Sequence, residues 1–455
     1  MATHSCVIAP HLKSDLSTLE GGKYGRMFPD LRFPATDESI LLVLGRAGSV
    51  MDAGAYSADN ERATDNPRIP AGFPFFGQFI AHDITADRSL LDHHARLNEL
   101  RNFRTPRLDL EALYGAGPTG NPYLYDINDL DKLLIGINDE EKPNDVPRNQ
   151  QGRALVGDPR NDVHLFVSQL HLAFLKFHNA IVDMLREQGI AAADVFREAQ
   201  RLVQWHYQWI VVHEFLPLSV GEDMVQDILN NGVKFYAFDN EPFIPVEFAD
   251  AAYRFGHSQV RSMYTLNSSG RQGQVFPDCG GTCPVPQAKA LEWAYFFSVD
   301  PQHAPQASKR IDIQLAHSLI ELPESVVGVT SIPEEHSLAY RDLVRGEGLD
   351  LPSGEALASY MGVTPLTPDE IGLAKLGWHT ETPLWYYILR EAEVRHNGER
   401  LGKVGGRIVA EVLLSLIDAD ALSYRNAERE WQPSLPGTTS GHFTMADLLR
   451  FAGTA

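Results

Sequence analysis

The feature that most constrains the fold is the segment VHLFVSQLHLAFLKFHNAIVDMLREQG, residues 163–189, which is apolar on almost every side of a helix. A helix that is hydrophobic all round is buried, in the core of a large protein or in a membrane. No stretch of the chain approaches the roughly 18 uninterrupted apolar residues of a membrane span. The segment therefore predicts a central core helix that ends at Gly189.

Helical patterns continue along the chain, whereas alternating strand patterns are scarce. A second long helix is predicted over residues 196–218, with Pro217 ending it. Further helical patterns lie at residues 308–322, 338–348, 382–395 and 405–421. No segment has the composition of a flexible linker. We expect a mainly α protein with one large helical domain at residues 71–455, and an N-terminal extension at residues 1–70 packed on it.

Charge and cysteine content narrow the class of function. The chain has 455 residues and a formal net charge of −21, which argues against a nucleic-acid partner or an anionic membrane surface. The first residues show no signal-peptide pattern, and the only cysteines are Cys6, Cys279 and Cys283, which together predict a reducing cytoplasm. The CGGTC spacing is open to zinc or redox use, but free thiols are favoured because no second Cys or His pair accompanies it.

The stretch FFGQFIAHDIT, residues 75–85, combines an apolar run with an amide, an imidazole and a carboxylate. On a helix, Gln78 and His82 form an i,i+4 pair on one face, and Asp83 points about 100° away from His82. Two interpretations remain open from these residues alone. The stretch is either a core helix with hydrogen-bonded polar groups or one wall of a reactive site.

Two other short segments carry candidate functional side chains. In GDPRNDV, Arg160 lies just before the long core helix, where the helix dipole disfavours a cation, so an anion is expected nearby unless the arginine is merely exposed. In YRFGHSQVR, Gly256 leaves room beside His257, which is either a metal ligand or a core histidine.

Three histidines recur every seven residues along the core helix: His164, His171 and His178. A shared metal ion is rejected, because two helical turns place successive members about 10.5 Å apart. We expect each histidine to have its own hydrogen-bond partner.

Together, and in this order, several segments resemble the animal-type haem peroxidases of the peroxidase–cyclooxygenase superfamily, in their bacterial branch. The resembling segments are GQFIAHD (77–83), FRTPRLDLEALYG (103–115), GDPRND (157–162) with LHLAFLKFHNAIVD (170–183), YRFGHSQVR (253–261) and, more weakly, DLVRGEGLDLP (342–352) and LGKVGGRIVAEVL (401–413). The resemblance implies a large helical domain with haem buried among core helices.

The resemblance also implies a role for each matched residue around the haem. His82 corresponds to the acid–base group above the iron, and Gln78 helps to hold peroxide, water or a small anion. Arg160 corresponds to the distal arginine, whose charge stabilises the cleaving O–O bond. His257 corresponds to the proximal iron ligand, and Arg254 stands where the family places an arginine near a haem propionate.

A calcium ion is the second group that the resemblance implies. Its ligands correspond to Asp83, Thr105, the carbonyl of Arg107, Asp109 and Glu111, which offer oxygen atoms to a hard cation. Glu111 stands where many relatives have serine. Calcium and the distal histidine would therefore share one helix.

Several positions depart from the family pattern. The two carboxylates that form haem ester bonds in mammalian members are replaced by Ala81 and Val163, although Asp162 is adjacent, and a methionine linked to haem in one relative is replaced by His164. We therefore predict non-covalent haem b and do not expect chloride oxidation. The usual asparagine partner of the proximal histidine corresponds to Asp342, whose carboxylate would push more electron density onto the iron.

These correspondences imply a peroxidase that reduces hydrogen peroxide and oxidises an organic or small anionic substrate through a ferryl state. The first alternative is a haem-dependent fatty-acid or small-molecule dioxygenase. Such enzymes carry a radical-forming tyrosine at or near the position of Arg254, and Tyr253 is adjacent. The second alternative is a non-catalytic haem-containing interaction module. The sequence leaves the identity of the reducing substrate and the oligomeric state open.

Overall fold

A computed structural model describes residues 22–31, 38–86, 100–239, 241–281, 283–378 and 380–454, and α-helices dominate these ranges. The helices are α1 (Glu38–Gly45), α2 (Ala58–Ala63), α3 (Phe73–Ile84), α4 (Glu111–Tyr114), α5 (Gly117–Gly120), α6 (Leu165–Glu187), α7 (Val195–Ile210), α8 (Leu216–Val220), α9 (Glu222–Asn231), α10 (Val246–Ala249), α11 (His317–Ile320), α12 (Glu324–Val327), α13 (Leu338–Gly348), α14 (Gly354–Tyr360), α15 (Pro368–Ile371), α16 (Leu384–His396), α17 (Lys403–Ala419), α18 (Tyr424–Ala427) and α19 (Met445–Phe451). The prediction of a mainly α fold is confirmed.

Short strands supplement the helices. The strands are β1 (Gly22–Gly25), β2 (Asp65–Pro70), β3 (Arg101–Asn102), β4 (Tyr125–Asp126), β5 (Asp129–Leu133), β6 (Ile244–Pro245), β7 (Tyr264–Thr265), β8 (Gln272–Gly273) and β9 (Ala307–Lys309). One sheet has the order β3-β1-β6, in which β1 runs antiparallel to β3 and parallel to β6. The pairs β2–β9, β4–β5 and β7–β8 are antiparallel.

Helix α6 is the central helix that the sequence predicted. It begins after His164, whose ring Nδ1 accepts a hydrogen bond from the backbone N–H of Val167, and Gly189 follows its end with a φ of 79°. Helix α6 packs against α3, α7 and β5. By length and composition alone this helix is apolar enough to cross a membrane, but 83% of its most apolar window is buried inside the domain. Its apolar surface is therefore covered by protein.

The prediction that Pro217 ends the second long helix is wrong. After α7 the chain makes a π-helical segment, Val211–Phe215, and continues directly into α8, with Pro217 in its first turn. Proline lacks a backbone N–H and is tolerated in the first turn of a helix. The wider π turn shifts the hydrogen-bond register, so the chain stays helical up to Val220.

The helical pattern at residues 308–322 is also largely wrong. Strand β9 pairs with β2, with Lys309 opposite Asp65, and only the four residues of α11 are α-helical in this range. The ammonium group of Lys309 is buried and donates to Asp312 and to the carbonyl of Gln314. Strand pairing and buried polar contacts outweigh the local helical pattern here.

The described part of residues 1–70 contacts later parts of the chain. Strand β1 pairs with both β3 and β6, and the backbone N–H groups of Met27 and Phe28 donate to Glu247 at 3.0 and 3.2 Å. Residues 1–21, including Cys6, and 32–37 lie outside the described residues. The division into an extension and a domain at residue 70 stays a prediction.

Helix α3 is held by aromatic packing on one face. Phe79 stacks on Phe174 of α6 at 4.7 Å between ring centroids, and Phe76 meets Tyr207 of α7 edge-on at 6.2 Å. Pro74 lies in its first turn. These contacts fix the rotation of α3 about its axis and therefore the direction of Gln78.

Candidate functional site

Two adjacent elements expose functional side chains within an otherwise buried region. Helix α3 packs against the 3₁₀ turn Ala252–His257. Gln78 and Ala81 on α3 are only partly buried, as are Gly256 and His257 in the turn. A Cβ atom placed on Gly256 would meet nothing within 4 Å. The space that the sequence predicted beside His257 is therefore present.

His82 belongs to a buried hydrogen-bond chain of three residues. Its Nδ1 lies 2.7 Å from the Asn161 side-chain oxygen, and the Asn161 side-chain nitrogen lies 3.1 Å from His171 Nδ1. Because the amide nitrogen donates to His171, the amide oxygen accepts from the Nδ1–H of His82. This tautomer places the lone pair of His82 on Nε2.

The protonation state of His82 follows from its surroundings. Burial, followed by the positive charge of Arg160, lowers the pKa of His82 to about 3. The imidazole is therefore neutral at pH 7 and able to accept a proton at Nε2.

Gln78 is oriented by the residue that precedes α6. His164 Nε2 lies 2.8 Å from Gln78 Oε1, and His164 Nδ1 accepts from the Val167 N–H at 3.3 Å. Since Nδ1 is the acceptor, the Nε2–H donates to Gln78 and fixes its amide.

His178 contacts the hydroxyl of Tyr114 at 3.1 Å and the carbonyl of Asp131 at 2.8 Å. The prediction that the three histidines of this segment have separate partners is confirmed.

Arg160 closes the C-terminal end of α3. Its guanidinium donates to the carbonyl of His82 at 3.2 Å, to the carbonyl of Thr85, and to Asp158 at 2.8 and 3.0 Å. A cation at the last carbonyls of a helix is favoured by the helix dipole. The anion expected near Arg160 is the buried carboxylate of Asp158. Burial raises the pKa of Asp158, but the charge and hydrogen bond of Arg160, together with the charges of His82 and Arg104, bring it well below its ordinary value.

Asp342 lies beneath His257. The Nδ1 atom of His257 lies 2.6 Å from one carboxylate oxygen of Asp342, and an Nη atom of Arg254 lies 2.6 Å from the other. The structure therefore brings together the three residues that the sequence assigned to the proximal side. With Nδ1 engaged, the remaining ring nitrogen of His257, Nε2, is the one able to bind a metal.

The loop that begins at Thr105 lies against the side of α3 opposite to Gln78. Asp83 accepts from the Leu110 N–H at 3.1 Å, and the Thr105 hydroxyl donates to Asp109 at 3.1 Å. The Asp83 carboxylate is buried beside the hydroxyl of Tyr207, which contributes to lowering the pKa of Asp83. Burial and the charge of Asp109 raise the pKa of Asp83, and burial with the charge of Glu111 raises that of Asp109 to about 6. A bound cation would offset the repulsion among these carboxylates.

Glu111 has other partners than Asp83. Its carboxylate accepts from Arg104 at 3.0 Å and from the Thr105 N–H at 3.3 Å. Across the described ranges, no three Asp, Glu, His or Cys side chains are arranged to hold a metal. Calcium also takes hydroxyl and backbone carbonyl oxygens, such as those assigned to Thr105 and Arg107, so the carboxylates need not supply the whole ligand set.

A buried ion-pair chain joins this loop to the surroundings of His82. Arg104 donates to Asp158 at 2.9 and 3.2 Å, and Asp158 in turn accepts from Arg160. The loop carrying Asp109 is therefore coupled to the end of α3 through paired charges as well as through Asp83.

Comparison with known proteins shows a similarity over the middle of the chain. The family profile described as animal haem peroxidase matches residues 88–280. This part of the chain is similar to the animal haem peroxidases. The match begins after α3, so the assignment of His82 and Gln78 rests on the structure and the motif around them.

The peroxidases that the chain matches differ greatly from the chain in length and sequence. The chorion peroxidase of Drosophila melanogaster is 29% identical over 159 residues, which are 33% of this chain and 19% of the relative. That of Aedes aegypti is 24% identical over 308 residues, 64% of this chain and 37% of the relative. The chain thus spans well under half the length of these curated relatives.

Solved structures show the same fold over nearly the whole chain. Peroxidase A from Dictyostelium discoideum has a TM-score of 0.61 at 16% identity, covering 95% of this chain and 92% of that one. The fatty acid alpha-dioxygenase of Oryza sativa has a TM-score of 0.61 at 15% identity, covering 96% and 80%. The chain therefore shares the fold of these two structures.

The residues present fit the haem that the family name implies. His257 Nε2 is available for iron, the position beside Gly256 is open, and His82 and Gln78 lie on the adjacent helix. Sequence reasoning missed Asn161 and the role of His171. Asn161 follows Arg160 directly, but no local pattern indicates that its amide lies between two histidines.

Proposed function

We propose that this protein is a haem-dependent peroxidase that reduces hydrogen peroxide and oxidises an organic or small anionic substrate. The observation that carries the proposal is the 2.7 Å contact between His82 Nδ1 and the side-chain oxygen of Asn161, which leaves the lone pair of His82 on Nε2. His82 lies on α3, which packs against the turn that carries His257.

When bound, haem supplies an iron centre that passes electrons from the substrate to peroxide. His257 would hold the iron through Nε2, while its Nδ1–H donates to Asp342. Arg254 anchors the opposite oxygen of that carboxylate. These contacts support His257 as a well-oriented ligand, because a fixed partner of the second ring nitrogen sets the ring direction.

His82 would move one proton during the reaction. His82 Nε2 would accept it from one oxygen of hydrogen peroxide and donate it to the other oxygen, which leaves as water when the O–O bond breaks. Two electrons from the substrate, passed on by the haem, and two protons would convert the remaining oxygen into a second water. Asn161 holds the imidazole in the required tautomer, and Gln78 presents its NH₂ group because His164 occupies its oxygen. Burial, and after it the positive charge of Arg160, keep His82 from being protonated before peroxide arrives.

We propose that the haem is haem b and is held without covalent bonds. Ala81 and Val163 offer no carboxylate for an ester. The neighbouring carboxylate of Asp162 is buried, and its two oxygens accept from Arg148 at 2.8 and 2.9 Å. An acid locked in a bidentate ion pair is a poor partner for ester formation.

We also propose that calcium binds between Asp83 and the loop of Thr105 and Asp109. The burial of Asp83 next to Asp109 and the raised pKa values of both carboxyls support a cation there. Such an ion would hold α3, and with it His82, in place.

A cytoplasmic location in a bacterium, with a small-molecule reductant and no nucleic-acid partner, completes the proposal. The net charge of −21 and the two free thiols Cys279 and Cys283 support it. Among the described residues Cys279 is a buried free thiol and Cys283 an exposed one.

The proposal is tested by the absorption spectrum of the purified protein with added haem, before and after one equivalent of hydrogen peroxide. We expect a haem band that changes promptly with peroxide and haem that is extracted by acid acetone. In His82→Ala the peroxide-dependent change should slow by about 100-fold or more, whereas the matched control His178→Ala should retain it. Unchanged peroxide reactivity in His82→Ala would exclude the acid–base assignment.

A dioxygenase is the second candidate, and Tyr253 is the observation that favours it. Its hydroxyl is buried without a hydrogen-bond partner among the described residues, four positions before His257. Oxygen consumption with an unsaturated fatty acid, abolished in Tyr253→Phe, would support this reaction. A strict requirement for peroxide would exclude it.

A further inference from the structure

The carboxylate of Asp342 accepts hydrogen bonds from both His257 and Arg254. One of its oxygens accepts from His257 Nδ1 at 2.6 Å and the other from Arg254 at 2.6 Å. The carboxylate lies in α13 and is fully buried. Because water does not reach it, its effect on His257 depends on the charges that surround it.

Arg254 is held rigidly beside this carboxylate. A second Nη atom donates to Asp250 at 2.8 Å, and Nε donates to the carbonyl of Ala249 at 3.0 Å. Arg345 donates to the same Asp250 at 3.2 Å. All three nitrogens of the Arg254 guanidinium are therefore engaged, so its distance to Asp342 is fixed by several contacts rather than by one.

We propose that Arg254 is a positioning residue that sets the electron-donating strength of His257 through Asp342. The inference rests on the proposed function, because it requires haem iron at His257. A carboxylate that accepts the Nδ1–H of a metal-bound histidine makes the ring a stronger donor. A guanidinium on the opposite oxygen withdraws part of that negative charge and moderates the donor.

This role differs from a direct action of Arg254 on the haem. A positive charge near a haem raises the potential of the iron wherever it lies, so the loss of Arg254 lowers the potential in both cases. Only the path through Asp342 makes that effect depend on the carboxylate. The two explanations therefore separate in a double-mutant cycle.

The experiment compares wild type, Arg254→Gln, Asp342→Asn and the double variant, each loaded with haem. The readouts are the ferric/ferrous reduction potential and the iron–histidine stretching frequency of the ferrous protein by resonance Raman spectroscopy. We expect Arg254→Gln to lower the potential and raise the frequency, and Asp342→Asn to do the reverse. In the Asp342→Asn background, the further change Arg254→Gln should leave the stretching frequency unmoved and lower the potential by less than it does in wild type.

A second variant separates charge from contact. Arg254→Lys keeps the positive charge but not the planar fork that reaches both carboxylates. We expect the frequency to rise in Arg254→Lys as well, by less than in Arg254→Gln. Arg345→Gln is the matched control, since it removes a charge from the same acidic cluster, and its frequency should equal that of wild type.

Two outcomes would overturn the inference. Equal shifts for Arg254→Gln with and without the Asp342 carboxylate would show a direct action on the haem. An unchanged frequency in both Arg254 variants would show that the arginine is only structural. If wild type binds haem no better than His257→Ala, the proposed function itself fails, and this separate result is visible before any potential is measured.

Discussion

The Nδ1 atom of His82 lies 2.7 Å from the side-chain oxygen of Asn161. The other end of the same amide donates to His171, so the orientation of one side chain decides which nitrogen of His82 carries the proton. The tautomer with a free lone pair at Nε2 is the one that a peroxide-deprotonating base requires.

Replacing Asn161 by Ala should therefore slow the reaction with hydrogen peroxide without abolishing haem binding. We expect a loss of about 10-fold in the second-order rate constant, less than the loss of the base itself. Stopped-flow absorption measures the rate. Asn179→Ala is the matched control, because Asn179 bonds only the backbone of Leu133 in the described contacts. Equal rates in both variants would contradict a role for Asn161.

Calcium should bind near Asp83 and release protons. Burial raises the pKa of Asp83 and brings that of Asp109 to about 6, so both carboxyls lose protons when a divalent cation binds near pH 6. Calorimetric titration with Ca²⁺ in buffers of different ionisation enthalpy measures this release. We expect calcium to raise the melting temperature and Asp83→Asn to remove most of the increase. Binding without proton release would show that the ion lies elsewhere.

The substitution Gly256→Ala should show whether haem binds beside this glycine. Its φ is not in the left-handed region and a Cβ there meets nothing within 4 Å, so Gly256→Ala should fold with wild-type stability. If haem occupies the open space, this methyl group should lower haem affinity, by about 10-fold for a clash near 1.4 kcal/mol. Haem titration and thermal melting of the haem-free protein measure the two effects. Gly346→Ala in α13 is the control, and equal haem affinity in both would place the haem elsewhere.

Acid should destabilise the fold through buried neutral histidines. Burial lowers the pKa of His206 to about 4, below the ordinary value of about 6.5 in an unfolded chain. The unfolded state therefore binds the proton first, so stability is lost as pH falls below about 6.5 and the loss continues down to about 4. Between pH 8 and pH 5 this histidine should cost on the order of 1–2 kcal/mol. Urea unfolding of His206→Phe at both pH values should show a smaller loss than wild type, and an identical loss would contradict the assignment.

Much of the fold was predictable from local pattern. The apolar run at 163–189 became α6, and the pattern at 338–348 became α13 with the same bounds. These helices were predictable because a buried helix, or an amphipathic helix with a clear period, has a recognisable order of apolar and polar residues. Residues 308–322 were not, because the partner of β9 lies more than 200 residues earlier in β2.

The same division holds for the site. The sequence by itself determined the i,i+4 pair Gln78 and His82 and the motif around His257, because helix geometry and local composition fix neighbours along the chain. Only the tertiary structure decided that Asn161 orients His82 and that Arg254 anchors Asp342. It also turned Arg160 onto the end of α3. Hydrogen bonds and ion pairs of this kind join residues that are distant in sequence, and their partners are set by how the helices pack rather than by any local pattern.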